Sequence, residues 1–398
     1  RTRVPEELYP TTWVTELTID CLERYAKDPD KPFFIQCGYT DPHHPFTPPG
    51  KYWDMYDPND IPVPVSLGAQ HTDPPPFIRH LKTMLEDGTA IRDYVHPYAV
   101  DEVEAQQSIA LTYGMTTMVD DGIGRLLAKL DDLGLSENTV VIYTSDHGDV
   151  MGDHGVMLKH GLHTEGVIRM PFIWTDPQAK GGMRTDLLSS AIDFTPSILG
   201  RAGLQPFSGV QGVDIVSAAR NSFKPDRAGI IIEADELPEN VNVEKFFRVR
   251  SFVDGRWRMT LWVDDDFGEM YDRKNDPHEL DNLWNNTQHK ETKSRLLELM
   301  LKEQYRYSEL MPRPIYMGER LGLEYKQPFF QHNCIVVSEF HVTINTELLD
   351  VSPCKGNAVS EIDVLVFWAE ATSKSRHLPI PTIKPLTIEP FPFYDVII

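Results

Sequence analysis

Residues 126–148, LLAKLDDLGLSENTVVIYTSDHG, run from the end of an amphipathic helix through a glycine turn into a strand and out onto an acid and an imidazole. Upstream, Ile109, Met115, Met118, Val119, Ile123, Leu126, Leu127 and Leu130 recur at helical spacing, which predicts one long helix from about Asp101 to Leu133. Gly134 is placed to stop it, because helices commonly end on a residue in the left-handed conformation. The following NTVVIYT has no polar alternation, as expected of a strand covered on both faces in a parallel sheet. Ser145, Asp146 and His147 fall at its carboxyl end, where open α/β sheets bind their ligands.

Working outward, FFIQCGY (33–39) reads as a buried strand, and the prolines of TDPHHPFTPPG (40–50) forbid regular structure after it. MPFIWT (170–175) reads as another covered strand, and SSAIDFTPSILGRAGL (189–204) as a helix with a serine start and Gly203 near its end. The order strand, long helix, strand, loop, strand, helix predicts an α/β sandwich over residues 1–205. Beyond it, AGIIIEAD, KFFRVRSFV and RWRMTLWV read as short strands, the last two joined through Asp254 and Gly255. NDPHELDNLW offers Asp276 as N-cap, Pro277 at the first helical position and Glu279 as capping-box carboxylate. An antiparallel sheet with a helix is therefore expected over 206–318, followed by a β-rich or extended tail over 319–398.

Composition narrows the partners. A formal net charge of −22 argues against nucleic acid or an anionic membrane as the main partner, since no compensating basic face is visible. No run approaches the roughly 20 apolar residues needed to cross a bilayer. Cys21, Cys37, Cys334 and Cys354 form no C-x-x-C pair and are too sparse for a disulfide scaffold. A small anionic substrate fits if positive charge is concentrated locally.

That concentration is sought after the strand. His147, His154, His160 and His163 are four of the fourteen histidines, all within 17 residues. Asp146 and His147, adjacent at a strand end, can converge on one cation. Asp149 and Asp153 are expected to shape the loop through backbone hydrogen bonds, and Glu165 with Arg169 to form an i, i+4 ion pair. Asp120 and Asp121 on the long helix are expected to be solvated or in local contacts. The stretch DHGDVMGDHGVM lacks the alternating oxygen donors and late glutamate of an EF-hand loop, and no H-E-x-x-H occurs.

SDHGDVMGDHGVMLKHGLHTEGVIRMPFIW resembles the second metal-binding motif of the sulfatase family, within the alkaline phosphatase-like superfamily. GYTDPHHPFTPP looks like that family's substrate-histidine loop, MVDDGIGRLLAKLDDLGLSENTVVIYTSDHG like its helix and strand, and GEMYDRKNDPHELDNL like its C-terminal hallmark. The resemblance covers roughly residues 30 to 312. It implies an alkaline phosphatase-like α/β/α sandwich, incomplete at the N-terminus, with a small C-terminal antiparallel sheet and helix. It further implies that Asp146 and His147 are metal ligands, that Lys159 contacts the sulfate and leaving-group oxygens, and that His43 is the general acid. His43 and not His44 follows from the family's Pro-His-x-Pro pattern; residue chemistry alone leaves both open.

The resemblance implies one divalent cation, with calcium first and manganese, iron or zinc also suited to an imidazole ligand. The implied activity is hydrolysis of sulfate esters, with a small anionic sulfate ester as substrate. The family's formylglycine arises in a C/S-x-P/A-x-R stretch, and none is present here, nor is an acidic pair near the start of the domain. The chain is thus expected to be the C-terminal part of a sulfatase-like protein and to be inactive alone. The alternatives are a phosphonate monoester or phosphodiester hydrolase, or a catalytically inactive metal-binding homologue.

Overall fold

The computed structural model describes residues 2–93, 96–179, 181–207, 209–236, 247–308 and 363–369. Its central layer is a four-stranded sheet in the order β1 (Phe34–Tyr39), β10 (Asp363–Ala369), β3 (Thr139–Ser145), β5 (Phe172–Thr175). The first three strands are parallel, and their ends are level: Tyr39 pairs with Ala369, and Ala369 with Ser145. The loops carrying His43 and Asp146 therefore leave the sheet along one edge.

Helix α1 (Pro10–Tyr25) and helix α3 (Glu102–Asp132) cover one face. The start of α3 is fixed by a capping box: Asp101 Oδ1 accepts from Glu104 N–H at 2.9 Å, and Glu104 Oε2 accepts from Asp101 N–H at 3.2 Å. Gly134 ends it with φ +69°. Val119, Leu126 and Leu130 of α3 pack with Cys21 and Leu22 of α1 and Ile35, Cys37 and Tyr39 of β1 into one core, where Val141 and Tyr143 also rest. On the other face Val140 and Ile142 meet Phe172, Trp174 and Ile198, the last from helix α5 (Phe194–Arg201). Both faces of β3 are covered, as its unbroken apolar run predicts.

Strand β5 departs from expectation. It runs antiparallel to β3, and Ile173 is 57% exposed, so MPFIWT is a half-covered edge strand. Only the face carrying Phe172 and Trp174 meets the core.

A second sheet, fully antiparallel, follows the order β6 (Ile230–Glu236), β7 (Phe247–Val253), β8 (Trp257–Trp262), β9 (Gly268–Asp272). Asp254 makes the β7–β8 turn by accepting from the N–H groups of Arg256 and Trp257. One face of this sheet packs on helix α7 (Lys290–Ser308) through Leu296 and Met300, while Val249 and Trp262 join a core with Phe77, Ile78, Leu81, Val150 and Val167 of the first unit. The two units thus share a hydrophobic seam beneath the loop that follows β3.

One further expectation needs correction. NDPHELDNLW forms no helix: Glu279 has φ +52° and turns its side chain inward, while Asp276 Oδ2 accepts from Asp281 N–H in a tight turn. The subdomain helix is α7, fourteen residues beyond Asp276. The segment 319–398 was read as a β-rich or extended tail of unknown role, and its residues 363–369 form a strand inside the core sheet, between β1 and β3. Cys334 and Cys354 lie outside the described residues, whereas Cys21 and Cys37 are buried.

Candidate active site

Asp146 and His147 leave β3 at the level edge of the parallel strands. The backbone N–H of His147 donates to Asp146 Oδ1 at 2.8 Å, which ties the two residues into one unit. His147 Nδ1 lies 2.7 Å from the carbonyl oxygen of Gly148. A carbonyl only accepts, so Nδ1 carries a proton and, in the neutral ring, Nε2 is left with the lone pair. That lone pair is 3.3 Å from Asp146 Oδ2. A carboxylate oxygen and an imidazole lone pair facing each other at this distance form a donor set suited to a divalent cation. Among the described residues, no group of three or more histidine, cysteine or acidic side chains is placed to hold one.

Positive charge lies beside it. Lys159, only 15% exposed in its side chain, reaches Asp149 Oδ2 at 3.7 Å. Burial lowers the pKa of its ammonium, opposed by the charges of Asp149 and Asp146. Asp149 is therefore a counter-ion for Lys159, beyond the loop-shaping role expected of it.

His43 comes from the loop after β1. Its Nδ1 lies 2.5 Å from the carbonyl of His44, again fixing the proton on Nδ1, and its buried Nε2 has no hydrogen-bond partner among the described residues. Burial lowers its pKa first, the Lys159 charge next, and Asp149 and His147 also act on it. His43, Lys159, Asp149 and His147 thus share one electrostatic neighbourhood, drawn from two loops 100 residues apart. His44 is buried against the His43 ring, centroid to centroid 3.9 Å, and edge-on to Phe46.

The remaining polar residues serve the scaffold. The Ser66 hydroxyl donates to Asp153 and accepts from His154 N–H. His154 has φ +56°, and burial pushes its pKa down to about 3, so it sits neutral with Nδ1 3.3 Å from His71 Nδ1. His163 is also turned away from the cleft: its Nδ1 is 2.8 Å from Ser251 Oγ, beneath the second sheet. Glu165 pairs with Arg169 at 3.0 Å as its spacing predicts, and in addition with Arg273 at 2.5 Å. Asp121 accepts from the Tyr52 hydroxyl at 2.7 Å and pairs with Lys51, while Asp120 is exposed.

Sequence reasoning missed Asp41, two residues before His43. It is buried, accepts from the Thr11 hydroxyl at 2.5 Å, and burial pushes its pKa up to about 6. Only the placement of an acid at the end of a buried strand hinted at it.

Comparison with known proteins gives the family. The family model for Sulfatase matches residues 5–204, and that for N-sulphoglucosamine sulphohydrolase, C-terminal, matches 152–306. An arylsulfatase of Clostridium perfringens is 31% identical over 305 residues, 75% of this chain and 58% of its own length. An N-acetylglucosamine-6-O-sulfatase of Bacteroides thetaiotaomicron is 25% identical over 377 residues, 81% of this chain and 66% of its own length. The chain therefore spans less than two thirds of either relative. The phosphonate monoester hydrolase of Silicibacter pomeroyi shares the fold, with a TM-score of 0.63 at 22% identity, over 76% of this chain and 61% of that one. The first family model alone takes in half of the sequence, and with the α/β core and its strand-end Asp–His pair it establishes that the chain belongs to the sulfatase family, of alkaline phosphatase-like fold.

Proposed function

We propose that this chain is part of a sulfuric ester hydrolase, to which it supplies part of the cation shell and the leaving-group side of the site. The observation that carries this reading is the neighbourhood of Asp146, His147, Lys159 and His43 at one edge of the sheet. Asp146 and His147 would hold a divalent cation, calcium first. Bound there, the cation would withdraw charge from the sulfuryl oxygens. Lys159 offers an ammonium to the sulfate and to the departing oxygen, whose negative charge grows as the S–O bond breaks. His43, with Nδ1 held by a carbonyl, has Nε2 as the atom that gives its proton to that oxygen. The family's formylglycine has no C/S-x-P/A-x-R stretch here to arise from, so no step through it is assigned to these residues.

The test is turnover of paired aryl sulfate and aryl phosphonate esters by the full-length protein. Lys159→Ala and His43→Gln should each lower kcat on the sulfate by about 100-fold or more, the scale of losing one charge-stabilising or proton-donating group. Since burial and Lys159 make His43 a weaker base, turnover should also fall as pH rises through that lowered pKa, and H43Q should flatten this alkaline limb. Exclusive phosphonate turnover would favour the second reading, a phosphonate monoester hydrolase. Calcium binding without turnover of either ester would leave an inactive metal-binding homologue.

A further inference from the structure

Beneath the site lies a closed group of charges that the proposed chemistry does not use. Arg258 of β8 is fully buried and donates through Nε to Glu279 Oε1 at 2.6 Å, with a second carboxylate, Glu269, at 3.2 Å. Taking three ionised groups out of water is expensive, and an apolar cluster of similar volume would often serve stability equally well. Glu279 also holds an uncommon left-handed backbone, φ +52°, to reach this place. Its other oxygen, Oε2, leaves the second unit and accepts from the backbone N–H of Glu165 at 3.1 Å.

Glu165 is the first residue of a single-turn helix, Glu165–Ile168, and that helix touches the strand-end loop through its backbone. The carbonyl of Val167 accepts from Gly148 N–H at 2.7 Å. A Cβ on Gly148 would stand 1.9 Å from the carbonyl oxygen of Gly166, so the two backbones are in direct contact. Gly148 is the residue whose own carbonyl holds the proton of His147 on Nδ1.

We propose that Glu279, clamped by Arg258, is a positioning residue of the second unit that sets the orientation and tautomer of His147 through Glu165 and Gly148. This rests on the reading of His147 as a cation ligand, a role that needs its lone pair on Nε2. The relay runs from carboxylate to amide to helix to loop, with no gap wider than a hydrogen bond. It gives the C-terminal sheet a part in the site that none of its side chains enters.

The test separates the hydrogen bond from the charge. Glu165→Pro removes the N–H that Glu279 accepts, at the first helical position, where proline is tolerated, and leaves the Arg258 clamp whole. Glu165→Ala removes the same side chain and keeps the N–H. In the full chain with 15N-labelled histidine, the parent and E165A should show His147 as the Nδ1–H tautomer, and E165P should shift toward the Nε2–H form. Amide exchange at residues 146–150 should be at least 10-fold faster in E165P than in E165A, with β8 and β9 unchanged. Glu279→Leu should reproduce E165P, and if it fails to fold the proline and alanine pair still decides. Identical His147 signals and exchange in E165P and E165A would overturn the relay. Neither readout needs cation or substrate, so absence of sulfate turnover would remove the functional reading and leave the relay standing.

Discussion

Asp41 is the residue whose protonation the fold itself feels. Burial raises its pKa from 3.8 to about 6, despite hydroxyl donors from Thr11 and Tyr9. The folded state therefore favours the protonated carboxyl: its contribution to stability is full below about pH 4 and is lost as pH rises through about 6. A shift of about two units corresponds to roughly 3 kcal/mol across that window. Asp41→Asn, neutral at every pH, should be more stable than the parent at pH 7 and close to it at pH 4. Urea midpoints at the two values measure this, and an equal gap at both would mean that folding leaves the Asp41 pKa unshifted. Apart from its place at the end of a buried strand, nothing in the sequence around TDPHHP marks this carboxyl as buried, because its partner Thr11 lies 30 residues upstream. By contrast Asp146 and His147 were legible, since their place at the end of an unbroken β-branched run is a local fact.

The long helix shows how much an element can be read and where reading fails. Its limits and its apolar face followed from the 3.6-residue repeat and Gly134, both contained within the segment, whereas the Asp101–Glu104 capping box emerged only from the structure. The failed helix at NDPHELDNLW carried equally good local signals, but Glu279 is drawn off into the Arg258 pocket, a contact visible only in three dimensions. Within α3, Gly122 and Gly124 look alike in sequence. A Cβ at 122 would lie 2.7 Å from Thr15 Oγ1 of α1, whereas nothing stands within 4 Å of one at 124. Gly122→Ala should destabilise by about 1–3 kcal/mol through overpacking. Gly124→Ala should stabilise by up to about 1 kcal/mol, because alanine loses less backbone entropy on entering a helix. Opposite shifts in melting temperature from two identical substitutions two residues apart would verify the α1–α3 approach, and shifts of the same sign would refute it.

At the scale of the molecule, sequence order and spatial order part company. The α/β core and the antiparallel unit were legible as runs of elements, but the strand at 363–369 was hidden, because nothing near it says that β1 and β3 leave one place open between them. Removing everything after Ser308 should expose two unpaired parallel edges in the middle of the sheet. Open edges invite pairing with other chains. Light scattering should report association of the truncated protein at micromolar concentration, and a monodisperse product with unchanged melting would show that the strand is dispensable. The same strand has a kinetic consequence. During synthesis more than 200 residues emerge after β3 before its parallel neighbour exists, so the sheet cannot be completed until the ribosome has passed Ala369. A sheet completed by so distant a segment pays its loop entropy late and folds slowly. The nascent chain should therefore hold its second unit before its first, in reverse of the order in which the two are made.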